Sequence, residues 1–123
     1  MATWDDVVQL GTRLPGVEVG SWYSTPGLKV RNKGMCRLRT SPDALVVRVT
    51  DLGEREVLLR SEPDVFFSTP HYEGSPHVLV RLEAIGLDEL GELLEDAWRV
   101  FAGKRAVAAW DAGQAPGRTT PDS

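Results

Sequence analysis

Residues 28–40 have the sequence LKVRNKGMCRLRT, in which apolar and cationic side chains alternate on either side of a short turn. Successive residues of a β-strand point to opposite faces, so Leu28 falls on one face and Lys29 on the other. After the turn, Cys36 and Arg37 repeat the same two kinds of side chain. The stretch therefore predicts a β-hairpin with one apolar face and one cationic face.

The segments around this hairpin predict the rest of the fold. Short alternating runs separated by Gly, Pro, Asn and Asp indicate antiparallel strands, and apolar residues at helical spacing indicate helices. The predicted elements are helices at 4–13, 51–60 and 87–101, and strands at 17–23, 28–31, 35–40, 44–50, 65–69 and 77–85. This order (helix, three or four strands, helix, two strands, helix) favours an α+β fold with an antiparallel sheet of five or six strands and helices on one face.

Length and composition indicate one small domain. The chain has 123 residues, with 18 acidic and 14 basic side chains and a net charge of −4. We place the domain at residues 1–110 and expect a disordered tail at 111–123, which is rich in Pro, Gly and polar residues. The overall acidity counts against nucleic acid as a partner, because cations drive phosphate binding.

Neither a membrane segment nor a secretion signal is expected. No apolar run approaches the roughly 20 residues that span a bilayer. The first nine residues, MATWDDVVQ, lack the basic start and apolar stretch of a signal peptide. The single cysteine, Cys36, excludes an internal disulfide. We therefore expect a monomeric cytoplasmic protein that does not contact a membrane.

Cations are concentrated in one part of this acidic chain. Residues 28–50 contain six cations and one carboxylate, whereas residues 83–96 contain six carboxylates and no cation. The candidate binding residues are Lys29, Arg31, Lys33, Arg37, Arg39, Arg48 and Arg81. A local positive surface attracts DNA, an acidic protein or a phosphorylated ligand. The alternative is a solvated strand face whose charges prevent aggregation.

No catalytic, metal or cofactor motif accompanies these cations. His71, His77 and Cys36 are the only soft metal ligands, and their spacing matches no metal motif. No nucleophile, base and orienting group can be assembled, so we predict neither an enzyme nor a cofactor. In the last helix, Trp98 falls on an apolar stripe that begins at Leu87, so we expect Trp98 at the centre of the core.

Three segments of the chain resemble the MmcQ/YjbR family of small bacterial proteins. They are TWDDVVQLGTRLPGVEVGSWYSTPGLKVRNKG (3–34), PDVFFSTPHYEGSPHVLVRLEAI (63–85) and ELLEDAWRVFAGKRAV (92–107). The resemblance covers about residues 3–108 and implies the antiparallel sheet with helices that is described as a double wing. Lys29, Lys33 and Arg81 match basic positions of the family pattern. The chain differs at His77 and Gly103, where the family often has Trp and Pro.

Members of this family are commonly labelled DNA-binding. The resemblance and the cations together predict a weak, sequence-tolerant DNA-binding module, with contacts mainly to phosphates. The alternative prediction is a protein-interaction or small-anion-binding module that does not bind nucleic acid.

Overall fold

A computed structural model describes residues 2–22, 25–40 and 43–114. Its elements are α1 (Trp4–Gly11), β1 (Val17–Trp22), β2 (Thr25–Val30), β3 (Lys33–Arg39), β4 (Ala44–Arg48), α2 (Leu52–Ser61), β5 (Phe66–Phe67), a short 3-10 helix (Pro70–Tyr72), β6 (His77–Val80), α3 (Leu87–Phe101) and α4 (Lys104–Gln114). The strands form one antiparallel sheet in the order β1-β2-β3-β4-β6-β5. The predicted α+β class, the antiparallel sheet of five or six strands and the order of elements up to α3 are confirmed, whereas helix α4 was not predicted. Within the described residues, every helix is too short or too polar to cross a membrane.

The register of the central strands confirms the predicted alternation. Leu28 of β2 pairs with Cys36 of β3, and Cys36 pairs with Val47 of β4. The next pair along β3 is Arg37 with Val46. Directly paired residues of antiparallel strands share a face. Leu28, Cys36 and Val47 therefore face one side of the sheet, and Arg37 faces the other.

Helices cover the first of these faces, and the main core lies beneath them. Trp98 of α3 is fully buried there, and its indole Nε1 donates a hydrogen bond to the Pro15 carbonyl at 2.9 Å. Its predicted central position is confirmed. The prediction for Leu87 was wrong, because this first residue of α3 is 48% exposed. The buried stripe begins one turn later, at Leu90.

The second face, which we call the open face, carries a smaller apolar cluster. Ala44, Val46 and Leu79 are buried beneath Tyr72 of the 3-10 helix, and Phe67 packs against them. This apolar cluster on the open face of β4 to β6 was not predicted from the sequence. Val46 of this cluster pairs with Leu79 of β6 on one side and with Arg37 of β3 on the other, so the cationic strand β3 borders the cluster.

The C-terminal helix α4 contacts α3 through the side chains of Trp110 and Asp111. Trp110 packs edge-on against Trp98, with ring centroids 5.8 Å apart. Arg99 of α3 donates to both carboxylate oxygens of Asp111, at 2.6 and 3.1 Å. Residues 111–114, which the sequence assigned to a disordered tail, thus belong to a helix with a fixed ion pair. The remainder of the predicted tail, 115–123, lies outside the described residues.

Candidate anion site on the open face

Four of the seven candidate cations lie on the open face. Arg37 and Arg39 of β3 are partly buried there, opposite Val46 and Ala44 of β4. Lys29 faces the same side and pairs with Glu18 of β1. On the far edge, the Arg81 guanidinium lies 4.2 Å from the centroid of the Phe67 ring and donates to the Pro63 carbonyl at 3.3 Å.

The other three cations depart from the predicted face. Arg31 and Asn32 form the β2–β3 turn with positive φ angles of 52° and 63°, so strand alternation fails at Arg31. The Arg31 guanidinium lies against Gly103, where an added Cβ would come within 2.6 Å of its Nη1. A bulge between Leu28 and Lys29 then places Lys33 opposite Val30, whose side chain faces the helices.

Arg48 begins on the open face and leaves it. It pairs with His77 of β6, but its guanidinium lies 5.3 Å from the centroid of the Phe101 ring in α3. Its Nε donates to the Val49 carbonyl at 2.9 Å. Placing Arg31, Lys33 and Arg48 on one cationic surface with the other four was thus wrong, because a turn, a bulge and an aromatic contact redirect them.

A polar cleft of about 380 Å³ lies where β3 meets the 3-10 helix. Its lining residues are Thr25, Arg37, Arg39, Thr40, His71 and Tyr72. They supply two guanidinium groups, three hydroxyls and an imidazole, and no described residue of the lining is a carboxylate. Such a set of donors is suited to an oxyanion.

Tyr72 holds one of the two guanidinium groups in place. Arg37 Nη2 donates to the Tyr72 hydroxyl at 2.9 Å, and Arg37 Nη1 donates to the Leu38 carbonyl at 3.4 Å. Tyr72 is only 8% exposed, and its ring contacts the His71 ring edge-on, at 4.7 Å between centroids. The wall of the cleft is therefore an ordered cluster of rings.

A buried cation fixes that wall from behind. Arg55 of α2 is 4% exposed, and no other charged side chain among the described residues is buried. Its Nε donates to the His77 carbonyl at 3.0 Å, and its Nη2 donates to Ser68 Oγ at 2.6 Å and to the Tyr72 carbonyl at 3.4 Å. These bonds connect α2 to both ends of the segment that carries Tyr72.

His77 contributes no charge to the open face at neutral pH. Burial, followed by the nearby charges of Arg48 and Arg37, lowers the pKa of His77 from its usual 6.5. Its Nδ1 lies 3.1 Å from Ser75 Oγ. The neutral ring packs near Tyr72, at 5.8 Å between centroids.

Cys36 and the carboxylates form no reactive or metal site in the described part of the chain. Burial is the main influence on the Cys36 thiol and raises its pKa to about 12. A thiol of this kind stays protonated and unreactive. No group of three or more His, Cys, Asp or Glu residues within the described ranges is arranged to hold a metal ion.

Sequence reasoning missed most of the cleft. It selected Arg37 and Arg39 but not His71, Tyr72, Thr25 or Thr40, although its prediction that His71 is a surface or hairpin residue is confirmed by the exposure of that side chain. The segment PHYEGSP was the available signal, because an aromatic residue beside a histidine between turn residues is an unusual place for a core side chain. Nothing in the sequence of α2 distinguished Arg55 from an exposed helical arginine.

Comparison with known proteins identifies the family. The YjbR family model matches residues 12–100, which is most of the chain. The chain therefore belongs to the YjbR family, as the resemblance implied.

Known relatives share the length of the chain as well as its sequence. The uncharacterized proteins Mb2600 of Mycobacterium bovis and Rv2570 of Mycobacterium tuberculosis are each 37% identical to it, over 89% of this chain and 96% of theirs. The crystal structure of Deinococcus radiodurans protein DR2400, a DUF419 domain, superimposes with a TM-score of 0.71 and covers 98% of this chain and 97% of its own. At 20% identity, this likeness supports the fold alone.

Proposed function

We propose that the chain is a small-anion-binding module that holds the phosphate group of a ligand in the cleft between β3 and the 3-10 helix. The observation that carries this proposal is the pairing of Arg37 with Arg39 beside Tyr72, in a cleft whose described lining contains no carboxylate. The cleft thus concentrates positive charge within a protein that is acidic overall. A local potential of this kind attracts an anion irrespective of net charge.

The geometry of the two arginines suits a phosphate. Alternate residues of one strand project on the same side, about 7 Å apart along the strand. Two like charges at this separation repel, and an anion between them removes the repulsion. Arginine also presents paired N–H donors that match phosphate oxygens, and the Tyr72 hydroxyl fixes the orientation of the Arg37 fork.

Phosphate binding to the Arg37→Gln variant tests this function. Titration with inorganic phosphate, followed by amide chemical shifts, should show saturable changes in the cleft of the parent protein. Arg37→Gln should weaken binding by about tenfold or more, because a charge-assisted hydrogen bond contributes about 1.5–3 kcal/mol. Arg60→Gln is the matched control, since Arg60 is an exposed cation on α2. Equal affinities for the two variants, or no saturable shift in the parent, would exclude the cleft as the site.

Sequence-tolerant DNA binding is a second candidate. Lys29 and Arg81 favour it, because they extend the positive charge of the open face beyond both sides of the cleft. Glu18 beside Lys29 and the departure of Arg31 from this face weigh against it. We expect any binding of DNA to be weak and strongly dependent on salt.

Fluorescence anisotropy with single-stranded and duplex oligonucleotides at about 50 mM salt distinguishes the two candidates. If DNA binds across the open face, replacing both Lys29 and Arg81 with Gln should make the slope of log affinity against log salt concentration shallower. The expected change in slope is about 0.9 for each lost contact with a duplex phosphate. The same double variant should leave inorganic phosphate binding unchanged. DNA affinity that is independent of these two side chains would remove DNA binding across the open face from consideration.

We further propose that the chain catalyses no reaction and acts as a cytoplasmic monomer. The buried Cys36 supports the first part, because the one thiol of the chain is protonated and unreactive. An acidic protein is the alternative partner of the same cations. Light scattering across salt concentrations tests the monomer, and partners that survive nuclease treatment in a pull-down would indicate a protein ligand.

A further inference from the structure

A second cavity adjoins the phosphate cleft at the end of the sheet. It has a volume of about 530 Å³. Thr25, Arg39 and Thr40 line both cavities, so these residues form their common border. The two cavities thus lie side by side, with Arg39 accessible from each.

The second cavity differs sharply from the cleft in chemistry. Its walls are mainly apolar side chains from α1, β2, β3, β4 and the segment after β6, namely Trp4, Pro26, Leu38, Ala44 and Leu82. Asp43 and Glu83 also line it, and both are exposed. The cleft has cations and no described carboxylate, whereas this cavity has an apolar wall and two carboxylates.

We propose that one ligand occupies both cavities, and that this ligand is a phosphate monoester of an aromatic or branched aliphatic group. The inference rests on the proposed function, since the phosphate would occupy the cleft beside Arg37. The ester group would pass the common border and lie against Trp4 and Leu82. Small-molecule sites commonly combine an apolar wall with a few polar groups that fix orientation.

The two carboxylates restrict the ligand further. A second anionic group on the apolar end would approach Asp43 and Glu83, and like charges repel. The ligand therefore carries a single anionic group, located at the end that enters the cleft. This requirement separates it from a polyanion such as DNA, whose successive phosphates would meet the carboxylates.

Comparing phenyl phosphate with inorganic phosphate tests the apolar contact. Partial burial of a phenyl ring should make phenyl phosphate bind about tenfold more tightly in a calorimetric or chemical-shift titration. Arg37→Gln should weaken both probes by the same factor, because both place phosphate in the cleft. Shifts at Trp4 and Leu82 should accompany phenyl phosphate and be absent with inorganic phosphate.

A ligand with a second anionic group tests the role of the carboxylates. 4-Carboxyphenyl phosphate should bind more weakly than phenyl phosphate to the parent protein. Glu83→Gln should reduce this difference and leave the affinity for inorganic phosphate unchanged. The side chain of Glu83 is exposed, so the variant should fold, and its amide spectrum provides the check. Glu73→Gln, an exposed change outside both cavities, is the matched control.

The outcomes separate this inference from the proposed function. If the two phosphates bind equally and both depend on Arg37, the shared ligand is overturned while the phosphate site stands. If phenyl phosphate binds more tightly but independently of Arg37, the apolar cavity acts alone and the shared ligand is again overturned. If neither probe binds, both proposals fail.

Discussion

The two faces of the sheet are held by different kinds of interaction. On the helix-covered face, a continuous apolar core surrounds Trp98, and the packing of α1 and α3 seals it. On the open face, a small apolar cluster under Tyr72 is joined to polar contacts made by Arg37 and Arg55. Apolar burial therefore holds the fold on one side, and directional hydrogen bonds position a cleft on the other.

This difference assigns stability and ligand binding to opposite faces of one sheet. Burial of apolar surface is non-directional and tolerates approximate placement, so it suits a structural face. A binding cleft needs donors at fixed positions, which requires hydrogen bonds that lock the side chains. Substitutions on the helix-covered face should therefore affect stability most, and those on the open face should affect ligand affinity as well.

The largest expected effect is that of Trp98→Ala. Removing a fully buried indole leaves a cavity and an unpaired Pro15 carbonyl, so the variant should lose about 3–5 kcal/mol of unfolding free energy. Urea denaturation measures this loss. Val57→Ala is the control, because Val57 is 63% exposed and should change stability by less than about 0.5 kcal/mol. Similar losses for both variants would show that the core is not centred on Trp98.

Arg55→Met should have the next largest effect. It should reduce both stability and phosphate affinity, although Arg55 supports the open face. Methionine keeps much of the side-chain length but cannot donate to the His77 and Tyr72 carbonyls, so stability should fall by about 1.5–3 kcal/mol. Because the wall carrying Tyr72 would loosen, phosphate affinity should fall too. Arg60→Met, at an exposed site on the same helix, controls for the loss of charge. Reduced stability with unchanged phosphate affinity would show that Arg55 supports the fold and not the cleft.

The helix-covered face could be predicted from the sequence because its signals are local. Periodic apolar residues placed Trp98 in the core, and alternation assigned Leu28 and Arg37 to opposite faces. The cleft could not be predicted in the same way. Arg37 bonds to Tyr72 across 35 positions of the chain, and Arg55 bonds to the His77 carbonyl across 22. Such contacts depend on strand order and on the path of the 3-10 helix, which no local pattern encodes.

Arg31 shows where a local rule fails. Arg31 follows Lys29 by two residues, so strand alternation predicted both side chains on the cationic face. The hairpin turns one residue earlier than expected, at Arg31 and Asn32. Residues with positive φ no longer follow the strand period, so the side chain reaches Gly103 between α3 and α4. Glycine at position 103 leaves the space that this guanidinium occupies.

Two titratable groups on opposite faces, Glu89 and His77, should respond to acid in opposite directions. On the helix side, a hydrogen bond with Glu62 is the main influence that raises the pKa of Glu89 to about 7, followed by burial and the charges of Glu62 and Glu92. On the open side, burial lowers the pKa of His77. A raised carboxyl pKa means that the folded state binds the proton more readily, so stability increases as pH falls from above 7 towards 4.5. A lowered histidine pKa has the reverse effect, and its stabilising contribution is lost as pH falls below 6.5.

Glu89→Gln gives the smallest expected effect and the sharpest test of this contrast. Glutamine resembles the protonated carboxyl and can still donate to Glu62, so the variant should be more stable than the parent above pH 7. The difference should shrink as pH falls and vanish near pH 4.5, where Glu89 of the parent is protonated. Urea denaturation at several pH values measures both proteins, with exposed Glu73→Gln as the control for loss of a charge. Parallel curves for the parent and Glu89→Gln would show that the Glu62–Glu89 bond does not form.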